Sequence, residues 1–119
     1  MPSINSPIYD RGHSGAEYRQ AMGRYIRGFR IAGRMTQTEV ANAVGVGKAT
    51  ISAIELGRLA LPPERYLQFA EALGVDAVEF VKEALQNSNP WAFAVLFKDN
   101  PKAEFRKINN RINSRSAEA

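Results

Sequence analysis

Covalent and metal chemistry have few candidates in this chain. Among its 119 residues there is one histidine, His13, and no cysteine. A Cys–His nucleophile is therefore absent, and a Ser–His–Asp triad or a histidine metal site would have to use that single residue. The run Gly45-Val46-Gly47-Lys48-Ala49-Thr50 contains the residue types of a phosphate-cradling loop. It lacks the required spacing of glycine, four residues, glycine, Lys and Ser/Thr, and it follows a helical stretch rather than a strand. No enzyme, cofactor or metal is expected. What remains is recognition chemistry, concentrated in residues 36–57, TQTEVANAVGVGKATISAIELG.

That stretch reads as two short helices joined by a tight turn. Thr36 can accept from the amide of Glu39 while Glu39 reaches back to the amide of Thr36, a reciprocal cap for the first helix. Val40, Ala41 and Val44 form its inward face, and Gly45 ends it where a left-handed residue is needed. Gly47 can cap the second helix, whose inward residues are Ile51 and Ile54. Ala41, Gly45, Ile51 and Ile54 stand at the spacing of a helix-turn-helix, whose second helix can lie in a DNA major groove.

The elements around this pair are also helical. Ser14 and Glu17 form another capping box, opening a helix at about 15–33 with Tyr18, Met22, Ile26 and Phe29 recurring at three and four residues. The pair itself occupies about 37–44 and 48–56. Residues 58–62 form a loop, since Pro62 disfavours helix at Leu61. Pro63 starts a helix at about 63–73 with Tyr66, Phe69, Ala70 and Leu73 inward, and Gly74 ends it. Asp76 and Glu79 cap a helix at about 77–86, with Val78, Val81 and Leu85 inward and Phe80 beside them. After a break at Asn87–Pro90, residues 90–98 are nearly all apolar behind a proline suited to a first helical position. A last helix at about 101–113 carries Phe105, Ile108 and Ile112 on one face. No strand pattern and no repeat is visible, so the chain is expected to be all-α.

Composition agrees with a compact domain plus extensions. The apolar fraction is 45%, enough for a core. No apolar run is long enough to span a membrane, and residues 1–15, MPSINSPIYDRGHSG, lack the apolar stretch of a signal peptide. A cytoplasmic location, with no membrane partner, is the expectation. The net charge is +4 and unevenly laid out. Residues 1–35 hold six arginines against two acids, 59–87 two bases against five acids, and 88–119 six bases against three acids. A basic balance suits a polyanionic partner.

Residues 19–86 resemble the lambda-repressor/Cro-like, or XRE, family of DNA-binding domains. The resemblance rests on RGFRIAGRMTQTEVANAVGVGKATISAIELGR and on PPERYLQFAEALGV. It implies a five-helix lambda-repressor-like fold with a C-terminal helical extension. The division would be a mobile tail at 1–13, the DNA-binding domain at 14–87 and the extension at 88–119. It implies a bacterial or phage transcriptional regulator, a repressor binding double-stranded DNA in a sequence-specific manner as a homodimer.

Roles for particular residues follow from the resemblance. Thr36 and Gln37 open the first helix of the pair, where amides at the positive end of the helix dipole suit a DNA phosphate. The helix at 48–56 would be the reading element. With Ile51 and Ile54 inward, Ala49, Ser52 and Ala53 face away, Gly47 and Lys48 stand at the leading end and Thr50 flanks it. Lysine can donate to guanine, serine and threonine to either base type, and small methyls can touch thymine. Arg58 and Arg65 are the remaining phosphate candidates after Gly57; Arg19 is expected to be solvated. Arg30 and Glu55 match a family pair that would lock the first helix to the end of the reading helix. The alternative is two separate surface charges.

Trp91, Phe93, Val95, Leu96 and Phe97 are too apolar for an exposed helix. With Phe105, Ile108 and Ile112 they either bury against a second subunit or extend the core. Two other functions remain open: an antitoxin that binds DNA and masks a toxin, and a protein-interaction module without DNA binding.

Overall fold

The structure is a computed structural model that describes residues 15–118, with side chains to residue 113. The expected cap at Ser14, together with His13, lies outside the described residues. Seven α-helices and no strand make up the described chain: α1 Gly15–Ala32, α2 Gln37–Val44, α3 Lys48–Glu55, α4 Tyr66–Leu73, α5 Ala77–Ser88, α6 Pro90–Phe97 and α7 Pro101–Glu118. The chain divides into two compact units, one of residues 16–84 and one that includes residues 85–118. No helix among the described residues is long and apolar enough to cross a membrane.

Unit 16–84 is built around an apolar core of α1 to α5. Tyr18, Met22 and Ile26 of α1 meet Val40, Ala41 and Val44 of α2, Ile51 and Ile54 of α3, and Phe69, Ala70 and Leu73 of α4. The spacing of these residues at three and four places each on one helical stripe. Phe29, next on the same stripe, lies at the rim: it is 41% exposed and covers the Tyr25 ring at 5.0 Å.

Local chemistry sets the helix ends. Thr36 Oγ1 accepts from the Glu39 amide at 3.0 Å, and the Thr36 amide donates to Glu39 Oε1 at 2.9 Å. These bonds lower the pKa of Glu39, so its carboxylate stays ionised. Gly45 ends α2 at φ 73°, in the left-handed region open to a residue without Cβ. Asp76 Oδ2 accepts from the Glu79 amide at the start of α5.

Two elements depart from the sequence reading. Pro63 does not open α4; residues Pro63–Arg65 form a 3-10 turn, and α4 begins at Tyr66. Arg65 sits at φ −103° and ψ 0°, outside helical geometry, which separates the two pieces. In α5 the inward residues are Phe80 and Ala84, whereas Val78 and Val81 are exposed. Apolar residues at 77, 78, 80, 81, 84 and 85 offer two stripes of equal periodicity. The Phe80 ring decides between them, because it lies edge-on to both Tyr25 at 5.7 Å and Tyr66 at 6.0 Å.

In the second unit α6 and α7 pack on each other. Asn89 Oδ1 caps α6 through the Ala92 amide, and Asn100 Oδ1 caps α7 through the Ala103 amide. Pro90, Ala94, Ile108 and Ile112 are buried, and Trp91 Nε1 donates to Asn109 Oδ1 at 3.2 Å.

Candidate nucleic-acid interface

The reading helix α3 has a closed face and an open one. Ile51, Ile54 and Glu55 are buried. Lys48 and Ala49 are exposed, while Thr50, Ser52 and Ala53 are half-buried. Gly47 caps α3 in an extended conformation and is exposed. Its carbonyl accepts from the amides of Thr50 and Ile51, which closes the first turn. The result is a helix whose leading end projects Lys48 beside a surface of small side chains.

A buried ion pair holds the far end of α3. Arg30 Nε donates to Glu55 Oε2 at 2.6 Å and Arg30 Nη2 to Glu55 Oε1 at 2.9 Å, a bidentate contact. The two side chains are only 13% and 3% exposed. Gln37 Nε2 adds a third donor to Glu55 Oε1 at 3.1 Å, and Arg30 Nη1 donates to the Met35 carbonyl at 2.9 Å. One carboxylate thus ties together the end of α1, the start of α2 and the end of α3. The hydrogen bonds to Glu55 raise the pKa of Arg30 further.

This network changes what Thr36 and Gln37 can offer. The Thr36 hydroxyl is engaged in its cap and the Gln37 side chain in the ion pair. The amides of Glu39 and Val40 have acceptors at Thr36. Helix geometry leaves the amides of Gln37 and Thr38 without intrahelical acceptors. An anion at this end would be met by backbone donors, with ionised Glu39 close by as a repulsive charge.

Other arginines fall differently from the expectation. Arg19 is half-buried, and its Nε donates to the Gly57 carbonyl at 3.0 Å. Arg65 donates to the Val44 carbonyl at 2.9 Å, where a cation suits the negative end of α2. It is thereby occupied in a structural role. Arg58 is exposed directly after α3.

Sequence reasoning passed over two features of this site. Gly23 lets α1 approach α3 closely: a Cβ there would stand 2.5 Å from the carbonyl oxygens of both Ile54 and Glu55. Nothing in the sequence around Gly23 marks that approach, which depends on how the helices cross. The second feature is Leu56. Its amide donates to the Ser52 carbonyl at 3.0 Å, so it continues the register of α3, and it is 53% exposed. The spacing 49, 52, 53, 56 was the signal that could have found it.

The apolar residues of the second unit separate into two groups. Ile108 and Ile112 are buried within the chain, and Trp91, Phe93 and Phe105 are half-buried. Val95, Leu96 and Phe97 remain exposed on α6, with the Phe97 ring 5.2 Å from that of Phe93. Among the described residues no group of His, Cys, Asp or Glu could hold a metal ion.

Comparison with known proteins agrees with this geometry. The helix-turn-helix domain family matches residues 21–81. No curated protein sequence matches the chain. Two solved structures of the clp gene regulator ClgR from Corynebacterium glutamicum are similar. One is 31% identical with a TM-score of 0.51, covering 56% of this chain and 87% of that one. The other is 29% identical with a TM-score of 0.52, covering 71% and 96%. The exposed leading end of α3, its braced far end and these matches lead to one conclusion: the chain belongs to the helix-turn-helix domain family of DNA-binding transcriptional regulators.

Proposed function

We propose that this chain is a cytoplasmic bacterial or phage repressor that binds specific double-stranded DNA sequences as a homodimer, with α3 in the major groove. Residues 14–87 act as a five-helix lambda-repressor/Cro-like domain, and 88–119 as an extension. The observation that carries the reading is the contrast between the two faces of α3. Its back is buried and braced by Arg30, Glu55 and Gln37, while Lys48 and Ala49 stand free. In this arrangement the backbone amides of Gln37 and Thr38 at the start of α2 and the exposed Arg58 side chain hold phosphates, and Gly47, Lys48, Ala49, Thr50, Ser52 and Ala53 approach base edges. The similarity to ClgR, named a gene regulator, supports action on transcription.

Symmetry supplies the dimer: two half-sites one helical turn apart match a two-fold pair of reading helices. In the extension, Val95, Leu96 and Phe97 are exposed apolar residues that such a contact would cover. Selection from a random duplex library followed by a salt titration tests the proposal. The binding constant should fall on log–log axes with a slope of about −0.9 per phosphate contacted. Failure to bind any duplex at low salt would leave a protein-interaction module instead. The same exposed α6 residues also fit a toxin partner, and a second protein co-purifying in fixed stoichiometry would favour an antitoxin.

A further inference from the structure

The reading face of α3 is mostly hydrocarbon. Ala49, Ser52, Ala53 and Leu56 lie at i, i+3, i+4 and i+7, one continuous stripe. Leu56 is the C-cap of α3, at φ −84°, ψ −3°, and its amide still bonds back to the Ser52 carbonyl. It therefore projects from the same face as Ala49, and more than half of it is exposed. The exposed part of this leucine would gain by burial against an apolar surface. Lys48 stands at one end of the stripe and Arg58 follows at the other. Both cations flank the stripe, which suits a polyanion lying along it.

Each base pair shows the major groove a distinct pattern, and the one apolar feature in it is the C5 methyl of thymine. Three hydrocarbon side chains in a row cannot read donors or acceptors. They can bury methyls. Resting on the DNA-binding reading above, we propose that Leu56 is a specificity-determining residue, and that with Ala49 and Ala53 it selects half-sites carrying thymine methyls beneath the C-terminal half of α3. Lys48, the long donor at the leading end, reads guanine at the outer edge of the same half-site.

The test uses the full chain and a duplex it selects from a random library. Replacing the thymines of each half-site by deoxyuridine removes the C5 methyl and leaves every hydrogen-bonding group in place. Binding should weaken about fourfold per contacted methyl, the factor associated with burying one such group. Leu56→Ala should then show a smaller deoxyuridine penalty than the parent chain while keeping its melting temperature, because Leu56 is exposed. A change in duplex stiffness caused by uracil would penalise both proteins equally, so an unaltered penalty in Leu56→Ala overturns the assignment. Equal affinity of the parent chain for the thymine and uracil duplexes also overturns it while leaving DNA binding intact. If the chain selects no duplex at all, the DNA-binding reading falls and this inference falls with it.

Discussion

At the residue scale, the energetics of the site converge on Glu55. Its carboxylate accepts from Arg30 and Gln37 in a setting where its side chain is 3% exposed. Removing one partner of a buried pair leaves an uncompensated charge, typically costing ~3–5 kcal/mol. Glu55→Ala should lose stability on that order in urea unfolding, and an unchanged midpoint would refute it. Arg34 presents the opposite case. It is exposed and sits at φ 57° in the cap of α1, where its amide donates to the Ile31 carbonyl and that of Met35 to Arg30. A side chain in this left-handed conformation costs about 1 kcal/mol relative to glycine. Arg34→Gly should therefore raise the melting temperature. Glu39 contributes in a pH-dependent way. Its pKa is lowered in the folded state, so its capping contribution is complete above the unfolded value and is lost as pH falls through the folded one. Glu39→Gln should flatten the acid limb of the stability profile measured by thermal melting.

At the element scale, the position of α3 depends on how closely α1 can approach it. Gly23 and Gly28 lie in the same helix and make a paired experiment. A Cβ at Gly23 meets two α3 carbonyls at 2.5 Å, whereas one at Gly28 meets nothing within 4 Å. Gly23→Ala should destabilise by about 1–3 kcal/mol through forced displacement. Gly28→Ala should stabilise by about 0.5–1 kcal/mol through reduced unfolded-state freedom. Denaturant midpoints of opposite sign would confirm the close crossing; two shifts of the same sign would refute it. Most helix limits were legible because their signals are local. The Thr36–Glu39 box, Gly45 and the proline at 90 act within a few residues of themselves. The inward face of α5 was not legible, since two stripes had equal periodicity and only the space between Tyr25 and Tyr66 chose Phe80.

At the scale of the whole molecule, the proposed homodimer has a direct test. A homodimer using the exposed part of α6 should have twice the chain mass in light scattering. Leu96→Glu places a charge on a residue 65% exposed, so it should leave the fold intact and halve that mass. A monomeric parent would place dimerisation elsewhere or on DNA alone. The sequence by itself determined the helical order, the helix-turn-helix pair and which side of α3 faces the core. Those follow from hydrophobic period and capping, which act over one or two turns. Tertiary structure alone decided the partners of the long polar side chains: Arg19 to the Gly57 carbonyl, Arg65 to the Val44 carbonyl and Gln37 to Glu55. Such side chains reach acceptors 18 to 38 residues away, and only folding determines which acceptors arrive within hydrogen-bonding distance.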